Sequence, residues 1–280
     1  FRPMPEGVVA YYDGITNYVV MYEQSSLAEI APGLAVKQAI ATIAHEGVHQ
    51  VLHNIGVQQR LSRWPMWISE GLPEYFSATE VKGGRWKGVG QPNDMRMYEL
   101  SNYYKARGGP DTAGTTIQIT IDSDGLTATG YAPAWALTHY LAERRKTEFQ
   151  GFLRAVSQIG PLEGEDRMAL SQGKALSNIE MFGQHFGALT GTVESDVVKH
   201  MQSLKYVDPI ENQTHYVVRY RTDLGASYTT RTMITLSPAA IYRWREEVLS
   251  STPQPLQARS QFIVKAFPTR SAVVLAAALP

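Results

Sequence analysis

Ile43-Ala44-His45-Glu46-Gly47-Val48-His49-Gln50-Val51-Leu52 carries the pattern H-E-x-x-H. Apolar residues recur around it with helical spacing, at Ile40, Ile43, Ala44, Val48, Val51 and Leu52. A helix is therefore expected over Val36 to Asn54, with Gly56 suited to its C-terminal stop. On a helix, residues four apart lie one above the other on one face. His45 and His49 can then reach one metal ion. Glu46 sits beside the first of them, where a carboxylate can take a proton from a water activated by that metal. Without a metal, the two histidines would face solvent or fill the edge of a core.

Two histidines do not complete a catalytic zinc site, which usually has three protein ligands and an open position. The metzincin arrangement needs Gly three residues and His six residues after the second histidine. Leu52 and Ile55 stand there, which excludes it. Downstream comes Trp64-Pro65-Met66-Trp67-Ile68-Ser69-Glu70-Gly71-Leu72-Pro73-Glu74-Tyr75-Phe76. Glu70 is the natural third ligand. Glu74, one turn later, can accept a hydrogen bond from the free ring N–H of His45 or His49 and so fix its tautomer. The alternative for both is a solvated acidic pair.

H-E-x-x-H followed by P-x-W-x-x-E-G-x-x-E-Y-F resembles the gluzincins, the zinc metallopeptidases that include thermolysin and the M1 aminopeptidases. More narrowly, it resembles the bacterial peptidase MA-like families of that clan. The resemblance runs from about residue 8 to 205 and is dense over 36 to 76. It implies an α+β fold: a thermolysin-like zincin domain with a small N-terminal antiparallel sheet, the H-E-x-x-H helix and a helical lower half. It implies one zinc ion per chain, held by His45, His49 and Glu70, with Glu46 as general base and a peptide or protein as substrate. Pro73 stands where the family usually has Ala. Proline disfavours a helix interior, so the Glu70 helix is expected to start at about Ser69 or to kink. Such families often carry export signals, which leans the expected location towards secretion or the cell envelope.

Composition agrees with an enzyme of this kind. At 280 residues the chain can form one large domain or two unequal ones. Lys and Arg total 26 and so do Asp and Glu, so no nucleic-acid partner is suggested. No apolar run reaches membrane-spanning length. Cysteine is absent, which removes disulfides and thiol chemistry. The chain begins at Phe1 rather than Met, as expected of an expressed segment or a mature fragment, in which any signal peptide would already be gone.

Val8 to Tyr12 and Tyr18 to Tyr22 read as two strands, with Asp13-Gly14 and Asn17 at the turn. Either strand could pair with an extended substrate, or the hairpin could be purely structural. Gly83 to Gly90 is glycine-rich but lacks a phosphate-loop pattern. Met95 to Lys105 reads as a short helix, and Thr115 to Ile121 alternates like a strand. Asp122-Ser123-Asp124-Gly125 fits a tight turn, since an EF-hand fails at Thr120 and Tyr131. Tyr131-Ala132-Pro133-Ala134-Trp135 opens a further helix. Peptidase MA-like proteins often have a Tyr before such a helix, which makes Tyr131 a candidate oxyanion donor. His139 is the weaker alternative, and His53 is expected to be solvated or to support the ligands. Helices follow at Phe149 to Ile159, Leu176 to Phe186 and Val193 to Lys205, the last with Thr192 as N-cap.

Asp208-Pro209 breaks the pattern. Residues 1–206 are expected to form the metallopeptidase domain and 207–280 a small α+β module. In that module, strands are expected at Tyr216 to Arg221, Ile234 to Leu236 and Gln261 to Phe267, with helices at Pro238 to Ser250 and Arg270 to Ala278. No G-x-M-x-N motif or amine-binding acidic cluster is present, which favours an endopeptidase. Two rivals remain: a non-catalytic zinc-scaffold binding protein of the envelope, and a zinc hydrolase of a non-peptide or cell-wall amide. The retained Glu46 argues against the first, since a structural site needs no base.

Overall fold

A computed structural model describes residues 9–22, 32–78, 80–82, 85–87, 90–110, 114–162, 177–188 and 191–277. The architecture is α+β, with eleven helices and three small antiparallel sheets among the described residues. The chain divides into two compact units, residues 1–23 with 37–207 and residues 208–280 with 24–36.

The first unit opens on a hairpin, β1 (Ala10–Asp13) and β2 (Tyr18–Met21), paired Ala10 to Met21 through Asp13 to Tyr18. Asp13 makes the turn. Its carboxylate accepts the amides of Ile15 and Thr16 at 2.8 and 3.2 Å, an Asx turn built from side chain to backbone. Asn17 takes the left-handed conformation, with φ 63°. Its carbonyl accepts from the Gln50 side chain at 2.8 Å, which ties the hairpin to the next helix.

That helix, α1 (Pro32–Asn54), carries H-E-x-x-H. It buries the face bearing His45, Glu46 and Leu52 and leaves Ile40, Ile43 and Val51 more than half exposed. The apolar residues read from the sequence therefore divide: Val48 and Leu52 pack on the core, while Ile40, Ile43 and Val51 form an outer stripe, and His45 and Glu46 point inward. α2 (Met66–Ser77) brings Glu70 and Glu74. It starts earlier than Ser69 and runs through Pro73, whose ring costs about 3 kcal/mol in a helix interior. Complete burial of Trp67 and Ile68 offsets this, at about 2–3 kcal/mol each. Trp67 stacks on Phe152 at 5.3 Å and meets Phe182 edge-on at 5.9 Å.

Short strands β3 (Glu80–Lys82) and β4 (Arg85–Lys87) form a second hairpin, which the glycine-rich reading did not foresee; Gly83, Gly84 and Gly88 lie outside the described residues. α3 (Asp94–Ala106) follows, capped by the Asn93 side chain on the Arg96 amide. α4 (Thr115–Asp122) corrects an expected strand. Its β-branched residues suit a strand locally, but Thr116, Ile117, Thr120 and Ile121 are buried with helical spacing and Ile119 is exposed. No side chain caps it from Gly114. Instead the buried Glu194 accepts the Thr116 and Ile117 amides at 3.1 and 3.3 Å, and Tyr104 donates to its other oxygen.

α5 (Tyr131–Arg144) is the central helix of this unit and is buried nearly all round, as a helix with no solvent face should be. α6 (Lys146–Val156), α7 (Asn178–Phe186) and α8 (Gly191–Ser203) complete the core. A capping box between Ser177 and Glu180 starts α7; Leu176 lies outside the described residues. Thr192 lies inside α8 and not at its N-cap, because the helix begins one residue sooner.

The second unit has a three-stranded sheet ordered β6 (Tyr228–Thr235), β5 (His215–Asp223), β7 (Ser260–Phe267). α9 (Pro238–Ser250), α10 (Gln254–Gln257) and α11 (Arg270–Ala277) accompany it. Arg270 pairs with Asp208 at 2.7 Å. β6 extends well before the expected Ile234, through threonines that a sheet accepts readily. The last residue of the expected C-terminal helix, Ala278, lies outside the described residues.

Candidate metal centre

α1 and α2 bring three ligand atoms together. His45 Nε2 lies 3.1 Å and His49 Nε2 3.6 Å from Glu70 Oε2. Ligand atoms of all three residues lie within 4.8 Å of one another. Two donors each about 2.1 Å from a tetrahedral ion stand about 3.4 Å apart. The observed separations are of that size, so His45, His49 and Glu70 can hold a metal ion.

The electrostatics fit a cation as well. Burial works against charge on Glu70, yet the two imidazoles outweigh it and hold the carboxyl at about 2. Glu74, 4 % exposed, behaves the same way: burial opposes its charge, but Arg96 and His45 hold it at about 2. His45 is held up at about 10 against its own burial by hydrogen bonds with Glu70 and Glu74. The His45 ring thus lies between two carboxylates, one at each nitrogen, and positive charge there compensates theirs. A divalent ion offers them the same compensation with more charge.

Glu74 meets the other ring nitrogen of His45, with Oε1 3.1 Å from Nδ1. A carboxylate on Nδ1 fixes the ring so that Nε2 faces the ligand cluster. Glu74 is itself gripped from α3. Arg96 donates through Nη2 to Oε1 at 2.6 Å and through Nε to Oε2 at 2.9 Å, and Asn93 donates to Oε2 at 3.2 Å. The remaining Arg96 nitrogen bonds Glu99 at 2.7 Å. None of Asn93, Arg96 or Glu99 was singled out from the sequence.

The centre opens into a cleft of about 390 Å³, lined by β1, α1, the loop after α1, and Tyr131. Glu46 lines it beside His45. Burial raises its carboxyl, His45 and His49 oppose that rise, and the Tyr12 backbone amide hydrogen-bonds it. Tyr131 opens α5 with its ring 6.3 Å from that of His45 and 5.1 Å from the Arg96 guanidinium carbon. Burial and the charges of Glu70 and Glu74 push its phenol up to about 12. His53 also lines the cleft and stacks on Tyr12 at 5.2 Å.

His139 lies elsewhere. It is 1 % exposed, bonded to His200 at 2.9 Å and to the Gly90 carbonyl at 3.2 Å, and does not line the cleft. That removes it as an oxyanion donor. Gln58, Leu61 and Ser62 from the loop after α1 and Ser69 from α2 line the cleft without having been anticipated, since only the fold brings them there.

Residues 39–163 match a family described as a protein of unknown function (DUF1570). That span contains every residue of the centre, from His45 to Tyr131. No curated protein and no solved structure matches the chain. No helix among the described residues is long and apolar enough to cross a membrane.

Proposed function

We propose that this chain is a zinc-dependent peptidase of gluzincin type, with a thermolysin-like zincin arrangement in its first unit. The observation that carries this reading is the convergence of His45, His49 and Glu70 with Glu46 at the floor of one cleft. Imidazole and carboxylate donors suit zinc best. Zinc supplies a Lewis acid that lowers the pKa of water and polarises a carbonyl.

The chain's own groups do the rest. Glu46 takes the proton of the attacking water and later gives it to the leaving amine. Burial raises its carboxyl against the pull of His45 and His49, the direction that favours a group holding a proton between the two transfers. Tyr131, with its phenol at about 12, keeps its proton and donates to the oxyanion as charge develops. Glu74 holds His45 in the tautomer that presents Nε2. The described cleft lining has no carboxylate besides Glu46 and Glu70, which leaves no acidic group to hold a free α-amine and favours an endopeptidase.

The test pairs metal content with hydrolysis of a general protein substrate. Wild type is expected to hold about one zinc per chain and Glu70→Ala to lose it. Glu46→Gln is expected to keep the metal and lose activity by at least about 10²-fold. Wild type without zinc under non-chelating conditions would sink the reading. Zinc bound with no hydrolysis of protein, peptide or cell-wall substrates would shift it to a binding protein.

A further inference from the structure

Arg96 reaches the metal centre from a third helix, α3. It bonds Glu74 through two nitrogens, 2.6 and 2.9 Å from the two carboxylate oxygens. Its charged carbon also lies 5.1 Å from the centre of the Tyr131 ring. Glu74 in turn meets His45 Nδ1. A guanidinium is a planar fork, so its position fixes both the direction of the carboxylate and the plane on which an aromatic ring rests. Its third nitrogen bonds Glu99 at 2.7 Å. The Asn93 side chain serves the same end, since it caps α3 through the Arg96 amide and also donates to Glu74.

We propose that Arg96 is the positioning residue of the metal centre: through Glu74 it orients the ligand His45, and through its face it seats Tyr131. One side chain thereby sets the relation between a metal ligand and the group that meets the oxyanion. The inference rests on the metal-site reading above and adds a residue on a third helix to it. Arg96 itself is neither one of the ligand residues nor one of the cleft-lining residues, so its effect passes through Glu74 and Tyr131.

The test is cobalt(II) titration of metal-stripped protein, followed by visible absorption, for wild type, Arg96→Gln, Arg96→Lys and Glu99→Gln. Loss of a group that orients a ligand imidazole weakens metal binding by about 10- to 100-fold. Arg96→Gln is expected to show that loss and a changed cobalt spectrum, because His45 no longer has a fixed ring plane. Arg96→Lys keeps the charge but not the fork, and is expected to bind at least about threefold more weakly than wild type. Glu99→Gln leaves both bonds to Glu74 and is expected to match wild type. Wild-type affinity and spectrum in Arg96→Gln would overturn the role of Arg96 and leave the metal site standing. Should that variant fail to fold, unaltered affinity in Arg96→Lys would overturn it equally. Failure of wild type to take up cobalt or zinc would overturn the metal reading and this inference together.

Discussion

Tyr131 stands where one backbone decision serves two purposes. As the first residue of α5 it is anchored by a helix that is otherwise buried, yet its ring reaches the cleft. Removing its hydroxyl should leave packing intact. Tyr131→Phe is expected to lower kcat about 10²-fold with KM nearly unchanged, as for other preorganised oxyanion donors. A KM effect alone would assign the phenol to substrate binding. His45, Glu46 and His49 were legible because four residues of helix are a local ruler. Glu70 was legible only through the family pattern, since no local rule links it to a helix 25 residues away. Arg96 could not be read at all. It is one of 26 basic residues, and only the fold, in which α2 and α3 both pack on α5, gives it a carboxylate to hold.

At the scale of elements, α2 and α5 decide how well Glu70 is held. Gly71, next to Glu70, packs directly against α5. A Cβ there would overlap the Thr138 hydroxyl and lie 2.9 Å from the Ala134 carbonyl oxygen. Gly71→Ala is expected to cost about 2 kcal/mol, or roughly 5 °C in Tm. An unchanged Tm would mean that the two helices separate freely. Helices with a cap or an apolar run of their own, such as α3, α5 and α9, were readable. α4 was not, because its β-branched residues favour a strand and its cap is a side chain from α8. On α1 the helix was legible but its inner face was not. A hydrophobic stripe normally marks the core, whereas here Ile40, Ile43 and Val51 face outward and the buried face sets His45 and Glu46 beside Leu52.

The molecule as a whole carries a second histidine pair whose protonation the fold resists. Arg144 donates to His200 Nδ1 at 3.1 Å, so His200 Nε2–H must donate to His139, and His139 Nε2–H to the Gly90 carbonyl. Both rings are neutral in this chain of bonds. Burial, reinforced by His139 and Arg144, lowers His200 to about 4, and burial lowers His139 as well. The unfolded chain takes protons on these rings below about 6.5 while the native chain does not. Stability is therefore lost as pH falls from about 6.5 towards 4. The Glu70 and Glu74 carboxyls, at about 2, lose their contribution only below the ordinary carboxylate value of 4.5. Thermal midpoints of metal-free protein between pH 6.5 and 4.5 are expected to fall less in His200→Gln than in wild type. Parallel curves would show that the pair does not titrate differently on unfolding.

The long-range cap on α4 also bears on the order in which the first unit assembles. Glu194 is separated by 78 residues from the Thr116 amide that it receives. An eight-residue helix is too short to persist alone in water. Its first turn is complete only after α8 has closed a long loop, and that closure must overcome chain entropy before any bond rewards it. α4 is thus expected to form late in folding, after α8 has docked.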